Sequence, residues 1–465
     1  RERRGQRLTD VEGSRVVVLG LARQGKVLAR YLSERGARVV VSDLKSESEL
    51  TAEMQELEDT SVEFVLGGHP PELLEEADLL CLSGGVPADL PLARQARLQG
   101  IRLANDSQLF LEACPAPVIG ITGSAGKTTT TELVGRMARA AVRGTDRQAW
   151  VGGNIGRPLL AELEHIQPDD FVVMELSSFQ LELMTSSPHI AAVLNVMPNH
   201  LDRHGTMETY TAAKSNILAN QSPTDVAVLG REDAGAWALR ERVRGRLISF
   251  GVRPSPDNGT YIEGGELRSL ADGTERRLFP AEAISLRGAH NLLNVLAACA
   301  VAVVAEIEPE AMQAGVQGFT GVEHRLEFVR RMRGVDWYND SIATAPERTI
   351  AAIHSFGEPI VLMIGGRDKG LPWGKLIRLI QVRVEHLVLF GELGPMIEQQ
   401  LSDAPPNERP YSIVVVGGLE QAVAAAANVA GEGDVVLLAP GGTSYDEFVD
   451  FAVRGERFKQ LVEAL

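Results

Sequence analysis

Cysteine is scarce in this chain of 465 residues: Cys81, Cys114 and Cys299 stand far apart with no C-x-x-C spacing. Neither a disulfide framework nor a zinc ribbon is expected from that pattern. Aromatic residues make up only 5%, too few for a platform of stacked bases. Positive charge is also in deficit, with 46 Lys and Arg against 62 Asp and Glu, a net charge of −16. Nucleic-acid binding needs a basic surface to neutralise phosphates, so no nucleic-acid partner is expected. Small anions are not excluded, because a local pocket can be positive within an acidic whole. Long apolar runs are missing as well. The longest, Val295 to Ala305, is about half of a membrane span and reads as a core helix, so a protein embedded in a membrane is not expected. Arg1 to Asp10 is polar and lacks the apolar core of a secretory signal, which points to a cytoplasmic, reducing compartment.

What is present is ordinary globular material, 44% apolar and 23% charged, with 46 glycines. At roughly 150 residues per domain the length suggests about three domains. Short β-branched runs alternate with amphipathic stretches from the start. Arg15 to Leu19 is strand-like, Gln24 to Arg35 helix-like, and Ala37 to Ser42 strand-like again, followed by Asp43. This rhythm predicts a parallel sheet with helices on its faces. Cys114-Pro115-Ala116-Pro117 breaks it, since two prolines in three residues fit neither a helix interior nor a central strand. A second α/β unit begins at Val118. It contains strands at Phe171 to Met174 and Ile190 to Leu194, and a helix around Thr206 to Asn220. A small antiparallel patch follows between Tyr261 and Arg287, then an Ala-rich helix at Asn291 to Glu306. A third unit carries strand candidates at Ile360 to Ile364, Leu387 to Phe390, Ile413 to Val416 and Val435 to Leu438. The expected domains are 1–115, 116–321 and 322–465.

The strongest motif is Thr122-Gly123-Ser124-Ala125-Gly126-Lys127-Thr128-Thr129, which follows an apolar run and opens a helical one. That is the context of a phosphate-binding loop. Its glycines admit backbone N–H groups to phosphate oxygens, and the helix N-terminus adds partial positive charge. Lys127 would neutralise the β- and γ-phosphates and Thr128 would sit near Mg²⁺. The glycine spacing is shorter than the common form, because Ile121 stands where that form has glycine. Glu175 ends the apolar run Phe171 to Met174, where a magnesium ligand belongs beside such a loop. His200, in Asn199-His200-Leu201-Asp202-Arg203-His204, could ligate metal or position a phosphate, although a lone loop histidine is more often a surface residue. From spacing alone Lys214 reads as a solvated helix lysine, and Asn154 and Asn291 are weak signals in isolation.

In the first unit Gly20-Leu21-Ala22-Arg23-Gln24-Gly25, with Asp43 at the next strand tip, imitates a dinucleotide fingerprint. Ala22 replaces the second glycine, and its Cβ crowds the place where a pyrophosphate would approach. A nucleotide-like ligand remains implied. In the third unit Gly365 to Gly370 and Pro440 to Asp446 each follow a strand, where open α/β sheets bind ligands, and both loops could converge on one substrate. Arg325 and Asp340, near the start of this unit, are candidate phosphate and ribose or metal contacts.

Taken together, these motifs resemble the Mur ligase family of peptidoglycan synthesis, and within it the D-glutamate-adding members. The resemblance covers nearly the whole chain. It rests on Thr122 to Thr129, Gly152 to Gly156, Glu175 to Gln180, Asn199 to His204, Lys214, His290-Asn291, His324-Arg325, Asn339 to Ser341 and Ser444 to Phe451. It implies an α/β protein of three domains: an N-terminal Rossmann-like domain holding a UDP-linked substrate, a central ATPase domain built on a mononucleotide-binding sheet, and a C-terminal Rossmann-like domain. It also implies ATP and Mg²⁺ as cofactors, and UDP-N-acetylmuramoyl-L-alanine and D-glutamate as substrates joined through an acyl phosphate, in a monomer. Residue by residue, the Gly123, Ser124, Ala125, Gly126, Lys127, Thr128 and Thr129 loop, with Asn291, Arg325 and Asp340, would contact ATP. Arg23, Gln24, Asp43, Leu44 and Gly85 would hold UDP, and Asn154 and Ser177 the muramoyl part. Thr344, Lys369, Ser444 and Phe451 would surround D-glutamate. Thr128, Glu175, His200 and Lys214 would serve metal, Lys214 as a carbamate derived from CO₂. Lys127, His200, Lys214 and Lys369 would act in catalysis.

The chain departs from the family pattern at Ile342, where many members carry lysine, and at Asn199, where an aspartate is common. The loss of a cation at 342 shifts weight to Lys369 or Arg367. Two readings from other classes compete. An NAD-dependent oxidoreductase leaves Lys127 and Glu175 unexplained. A regulatory or motor ATPase needs no pair of flanking ligand-binding units.

Overall fold

A computed structural model describes residues 10–198, 201–286, 288–405 and 407–465. It contains two compact units, one of residues 10–284 with 292–317, the other Ser285–Asn291 with Gly318–Leu465.

The first unit holds two sheets. The leading sheet consists of β1 (Arg15–Leu19), β2 (Arg38–Asp43), β3 (Glu63–Leu66), β4 (Leu79–Leu82) and β5 (Arg102–Ala104). Its order is β3-β2-β1-β4-β5 and every pair is parallel. The valine run of β1 is buried on both faces, as a central parallel strand requires. Helix Arg23–Glu34 covers one face with Leu28, Ala29 and Leu32. It can sit that close because residue 25 is glycine: a Cβ there would lie 1.8 Å from the Gly20 carbonyl oxygen. The strand order reverses between β1 and β4, and the crevice at such a point is where open sheets take ligands.

The second sheet has nine strands: β6 (Val118–Thr122), β7 (Ala149–Gly153), β8 (Phe171–Glu175), β9 (Ile190–Val193), β10 (Val226–Gly230), β11 (Arg246–Phe250), β12 (Gly259–Glu263), β13 (Glu266–Ala271) and β14 (Thr274–Pro280). In space they run β14-β13-β12-β11-β10-β9-β6-β8-β7. The pairs β12/β13 and β13/β14 are antiparallel, so the expected patch is present and continues the parallel sheet. The Ala-rich helix runs Ala289–Val304, ending earlier than its apolar composition suggested. Glu306, assigned to it from sequence, instead takes a left-handed φ of 56°.

Between the two sheets, helix Asp106–Ala113 and its cap meet the segment after β8 through polar side chains. Asn105 Nδ2 donates to the Gln180 carbonyl (2.9 Å), Gln180 Nε2 to Ser107 Oγ (2.8 Å), and Thr185 N–H to Gln108 Oε1 (2.8 Å).

The second unit carries β15 (Glu327–Met332), β16 (Val335–Asn339), β17 (Ile360–Gly365), β18 (Val384–Phe390), β19 (Ser412–Val415) and β20 (Val435–Gly441). Their order is β15-β16-β20-β17-β18-β19, parallel except for β15 against β16. The central β17 and β20 are buried throughout. The loops after them therefore start from fixed points.

Candidate active site

In the first unit the site grows from register. Ile121 of β6 pairs with Glu175 of β8, and Gly153 of β7 pairs with that same Glu175. The phosphate loop, the Glu175 carboxylate and Asn154 are thereby set side by side. Helix Lys127–Ala141 opens at Gly126, whose φ is +83°. A side chain at 126 would also put its Cβ 2.2 Å from Asn294 Oδ1, so this position needs glycine on two counts. Lys127 Nζ donates to the Gly123 carbonyl at 3.0 Å. Ser124 Oγ is occupied with the Met197 carbonyl and the Tyr210 hydroxyl, each at 2.9 Å, so it braces the loop from behind. Ala125 is exposed, Thr128 half-buried and Thr129 buried.

Lys214 is not a solvated helix lysine. It lies on helix Met207–Ala219 with 1% of its surface exposed. Its Nζ donates to the Gly123 carbonyl (2.9 Å) and Thr122 Oγ1 (3.4 Å), 4.8 Å from the centre of the Tyr210 ring. Burial, reinforced by Lys127 and opposed by Glu175, pushes its pKa down to about 6. The amine is therefore largely neutral at physiological pH, when an ordinary lysine is charged. Glu175, 1% exposed, accepts from Asn154 Nδ2 at 2.8 Å through Oε1, while Oε2 has no hydrogen-bond partner among the described residues. Ser177 caps helix Ser178–Leu181 and donates to Gln180 Oε1. His200 lies outside the described residues.

The structure adds a residue the sequence reading passed over. Asn195, just beyond β9, accepts from Ala125 N–H at 2.8 Å and donates to the Ala125 carbonyl at 3.1 Å, clamping the tip of the phosphate loop. A polar residue at the end of a buried apolar strand was the available signal.

At the ends of β1, β2 and β4 lie the five residues expected to hold UDP. Arg23 Nη1 donates to the Gly156 carbonyl (2.5 Å), and Gln24 Nε2 to Asp106 Oδ2 (3.2 Å). Asp43 receives backbone N–H groups at both oxygens, from Leu21 (2.7 Å) and Lys45 (2.9 Å). Much of its work is thus to hold the Gly20 loop to β2. Leu44 is 71% exposed, an apolar surface at the mouth of this crevice, and Gly85 is open.

The second unit gathers its own set. Asp340 is buried and accepts from Leu326 N–H at 3.1 Å. Burial raises its pKa to about 7, against the pull of Arg325 and Arg348. Because the folded-state value lies above that of the unfolded chain, this carboxyl takes stability away as pH climbs from about 4 to about 7. Asp340→Asn is therefore expected to raise the thermal midpoint more at pH 8 than at pH 5, by a few degrees, while raising the KM for ATP. Melting curves at the two pH values check this, and an equal or negative shift at pH 8 contradicts it. Asn291 is also buried.

The two strand-end loops meet each other, since Arg367 and Thr443 exchange backbone hydrogen bonds, both 2.9 Å. Lys369 Nζ donates to Thr344 Oγ1 (3.4 Å), and Ser341 Oγ to the Phe451 carbonyl (2.7 Å). Ser444 is buried beside this pairing.

Sequence models of one family cover most of the chain: the Mur ligase MurD-like N-terminal domain over residues 14–105, the Mur ligase middle domain over 121–302 and the Mur ligase glutamate ligase domain over 324–442. The chain belongs to the Mur ligase family, ATP-dependent enzymes that add amino acids to UDP-muramoyl peptides. Among its relatives, the UDP-N-acetylmuramoylalanine–D-glutamate ligase of Symbiobacterium thermophilum is 42% identical over 97% of this chain and 98% of that one. The protein of the same name from Koribacter versatilis is 39% identical over 98% of each. Solved structures share the fold: UDP-N-acetylmuramate-alanine ligase from Thermotoga maritima (TM-score 0.55, 20% identity, 97% of this chain and 99% of that one) and MurF from Acinetobacter baumannii (TM-score 0.55, 17% identity, 98% and 93%).

Mur ligases require Mg²⁺. Among the described residues no three His, Cys, Asp or Glu side chains cluster closely enough to form a metal cage. Magnesium commonly takes one or two carboxylates and completes its shell with water and substrate phosphates. Glu175 Oε2, buried and without a hydrogen-bond partner among the described residues, is one oxygen that could hold such an ion.

Proposed function

We propose that this chain joins D-glutamate to the L-alanine carboxyl of UDP-N-acetylmuramoyl-L-alanine, forming ADP and phosphate. The observation that carries the reading is the grouping of half-buried Lys127 with buried Lys214 and Glu175 around one phosphate loop. In phosphoryl transfer, catalysis is mostly positioning and charge neutralisation. An oxygen of the alanine carboxylate attacks the γ-phosphorus and ADP departs. The amine of D-glutamate then attacks the acyl carbonyl, loses a proton, and phosphate leaves. Lys127 and the loop N–H groups bind the phosphates, and Asn154 and Ser177 orient the muramoyl end. When bound, Mg²⁺ offsets the charge on the phosphate oxygens. Glu175, His200 and Lys214 would hold the magnesium, Lys214 through the carbamate oxygen formed when its neutral amine adds to CO₂ and releases a proton.

On this reading residues 1–115 hold the UDP end, 116–321 carry out ATP chemistry and 322–465 present D-glutamate. Arg23, Gln24, Asp43, Leu44 and Gly85 serve UDP, and Asn291, Arg325 and Asp340 serve ATP. Thr344, Lys369, Ser444 and Phe451 surround D-glutamate. The enzyme works as a cytoplasmic monomer. Among the described residues no helix is long and apolar enough to cross a membrane. Phosphate release from ATP is expected only when both the UDP-linked substrate and D-glutamate are present. Equal release without D-glutamate, or with L-lysine in its place, overturns the assignment.

A further inference from the structure

We infer that Arg454 supplies a fixed positive charge that makes the D-glutamate pocket select an acidic amino acid. The inference rests on the D-glutamate reading of the second unit. Arg454 lies on helix Phe451–Glu463 and is 1% exposed. Its Nε donates to Ser341 Oγ (3.0 Å), and its Nη2 to the carbonyls of Ser341 (2.9 Å) and Gly442 (3.2 Å). Nη1 has no acceptor among the described residues. A Cβ on Gly366 would lie 2.9 Å from Nη1.

One side chain thus touches the starts of all three loops proposed to surround D-glutamate. Ser341 precedes Ile342 and Thr344, Gly442 precedes Ser444, and Gly366 precedes Lys369. Arg454 is also one helical turn beyond Phe451. A buried guanidinium held by neutral oxygens keeps its net charge, and in a medium poorly screened by water that charge acts over several ångströms. Lys369 feels it, since Arg454 and Arg348 add to burial in lowering the lysine pKa. Asp446 and Glu447 offset the field from further off, but each is engaged elsewhere, with the N–H of Glu392 and of Leu419. Arg454 is accordingly a positioning residue whose charge reaches the substrate without touching it.

The test uses the full chain and compares Arg454→Gln, Arg454→Lys and the double variant Arg454→Gln with Ile342→Lys. In Arg454→Gln the KM for D-glutamate is expected to rise about tenfold or more. Its preference for D-glutamate over the neutral isostere D-glutamine should fall, with the KM for ATP and for the UDP-linked substrate nearly unchanged. Arg454→Lys, which keeps the charge, retains the preference, and Ile342→Lys restores it in the Gln background. Equal rises in all three KM values with no rescue by Ile342→Lys, or an unchanged preference, overturn the proposal and leave Arg454 a structural tie. Wild-type enzyme assayed alongside separates the cases: if it ignores D-glutamate the functional reading itself fails, whereas a normal wild-type response with unaltered variants removes only the role given to Arg454.

Discussion

Lys214→Ala is expected to cut kcat by about a hundredfold or more, with part of the loss recovered on adding acetate. The amine is buried against the Gly123 carbonyl, and its proton affinity is lowered by burial and by Lys127. A neutral amine reacts with CO₂; an ammonium ion does not. Alanine leaves a pocket into which a short carboxylate can bring the oxygen that the carbamate would have provided. Thermal stability has to be followed in parallel, because removing a buried hydrogen-bonded side chain also leaves a cavity. Recovery by acetate separates the two effects, since a cavity alone gives no reason for a carboxylate to restore turnover. Near-normal activity in Lys214→Ala would show that the residue only buttresses the loop.

For Glu175→Gln the expected loss is of similar size, about 10²- to 10³-fold in kcat, together with a higher magnesium requirement. The amide oxygen can still accept from Asn154 Nδ2, so the local frame survives. What disappears is the ionised oxygen, which has no partner in the frame around it. Removing an unsatisfied buried charge relieves a desolvation penalty, so the thermal midpoint should hold or rise. Loss of activity combined with loss of stability would mean that Glu175 is structural. A magnesium titration of ATP hydrolysis, run beside a melting curve, distinguishes the outcomes.

These two residues also mark where sequence reasoning succeeds and where it stops. Glu175 was legible because a phosphate loop and an apolar run ending in a carboxylate each carry their own signature, and parallel register brings them together. Lys214 was not legible from the pattern of its helix, whose apolar face is weakly defined; the resemblance to a family singled it out. Burial of a lysine depends on what packs over it, here Tyr210 and the Thr122–Gly123 turn. Strands β6, β8, β17 and β20 announced themselves as buried apolar runs. The edge strand β15, Glu327–Met332, carries Arg330 and Arg331 and has no such run. Strand β7, Ala149–Gly153, ends in two glycines and is weakened as a signal for the same physical reason that it suits a site, the close approach of backbones. Arg454 was invisible because its importance lies in which carbonyls it meets, 12 and 113 residues away along the chain.

The polar junction formed by Asn105, Ser107 and Gln108 with Gln180, Thr185 and Ser186 has a further consequence. Hydrogen bonds have narrow geometry, and sliding the two sheets past each other would break several of these at once. The distance from the crevice at β1 and β4 to the Glu175 carboxylate is therefore a fixed span. For a substrate anchored by its nucleotide at one end and reacting at the other, that span acts as a ruler. One added amino acid would carry the reacting carboxyl about 3.5 Å past the phosphate loop, and one fewer would leave it as far short. With UDP held as proposed, chain length would be measured before any side chain of the incoming amino acid is inspected.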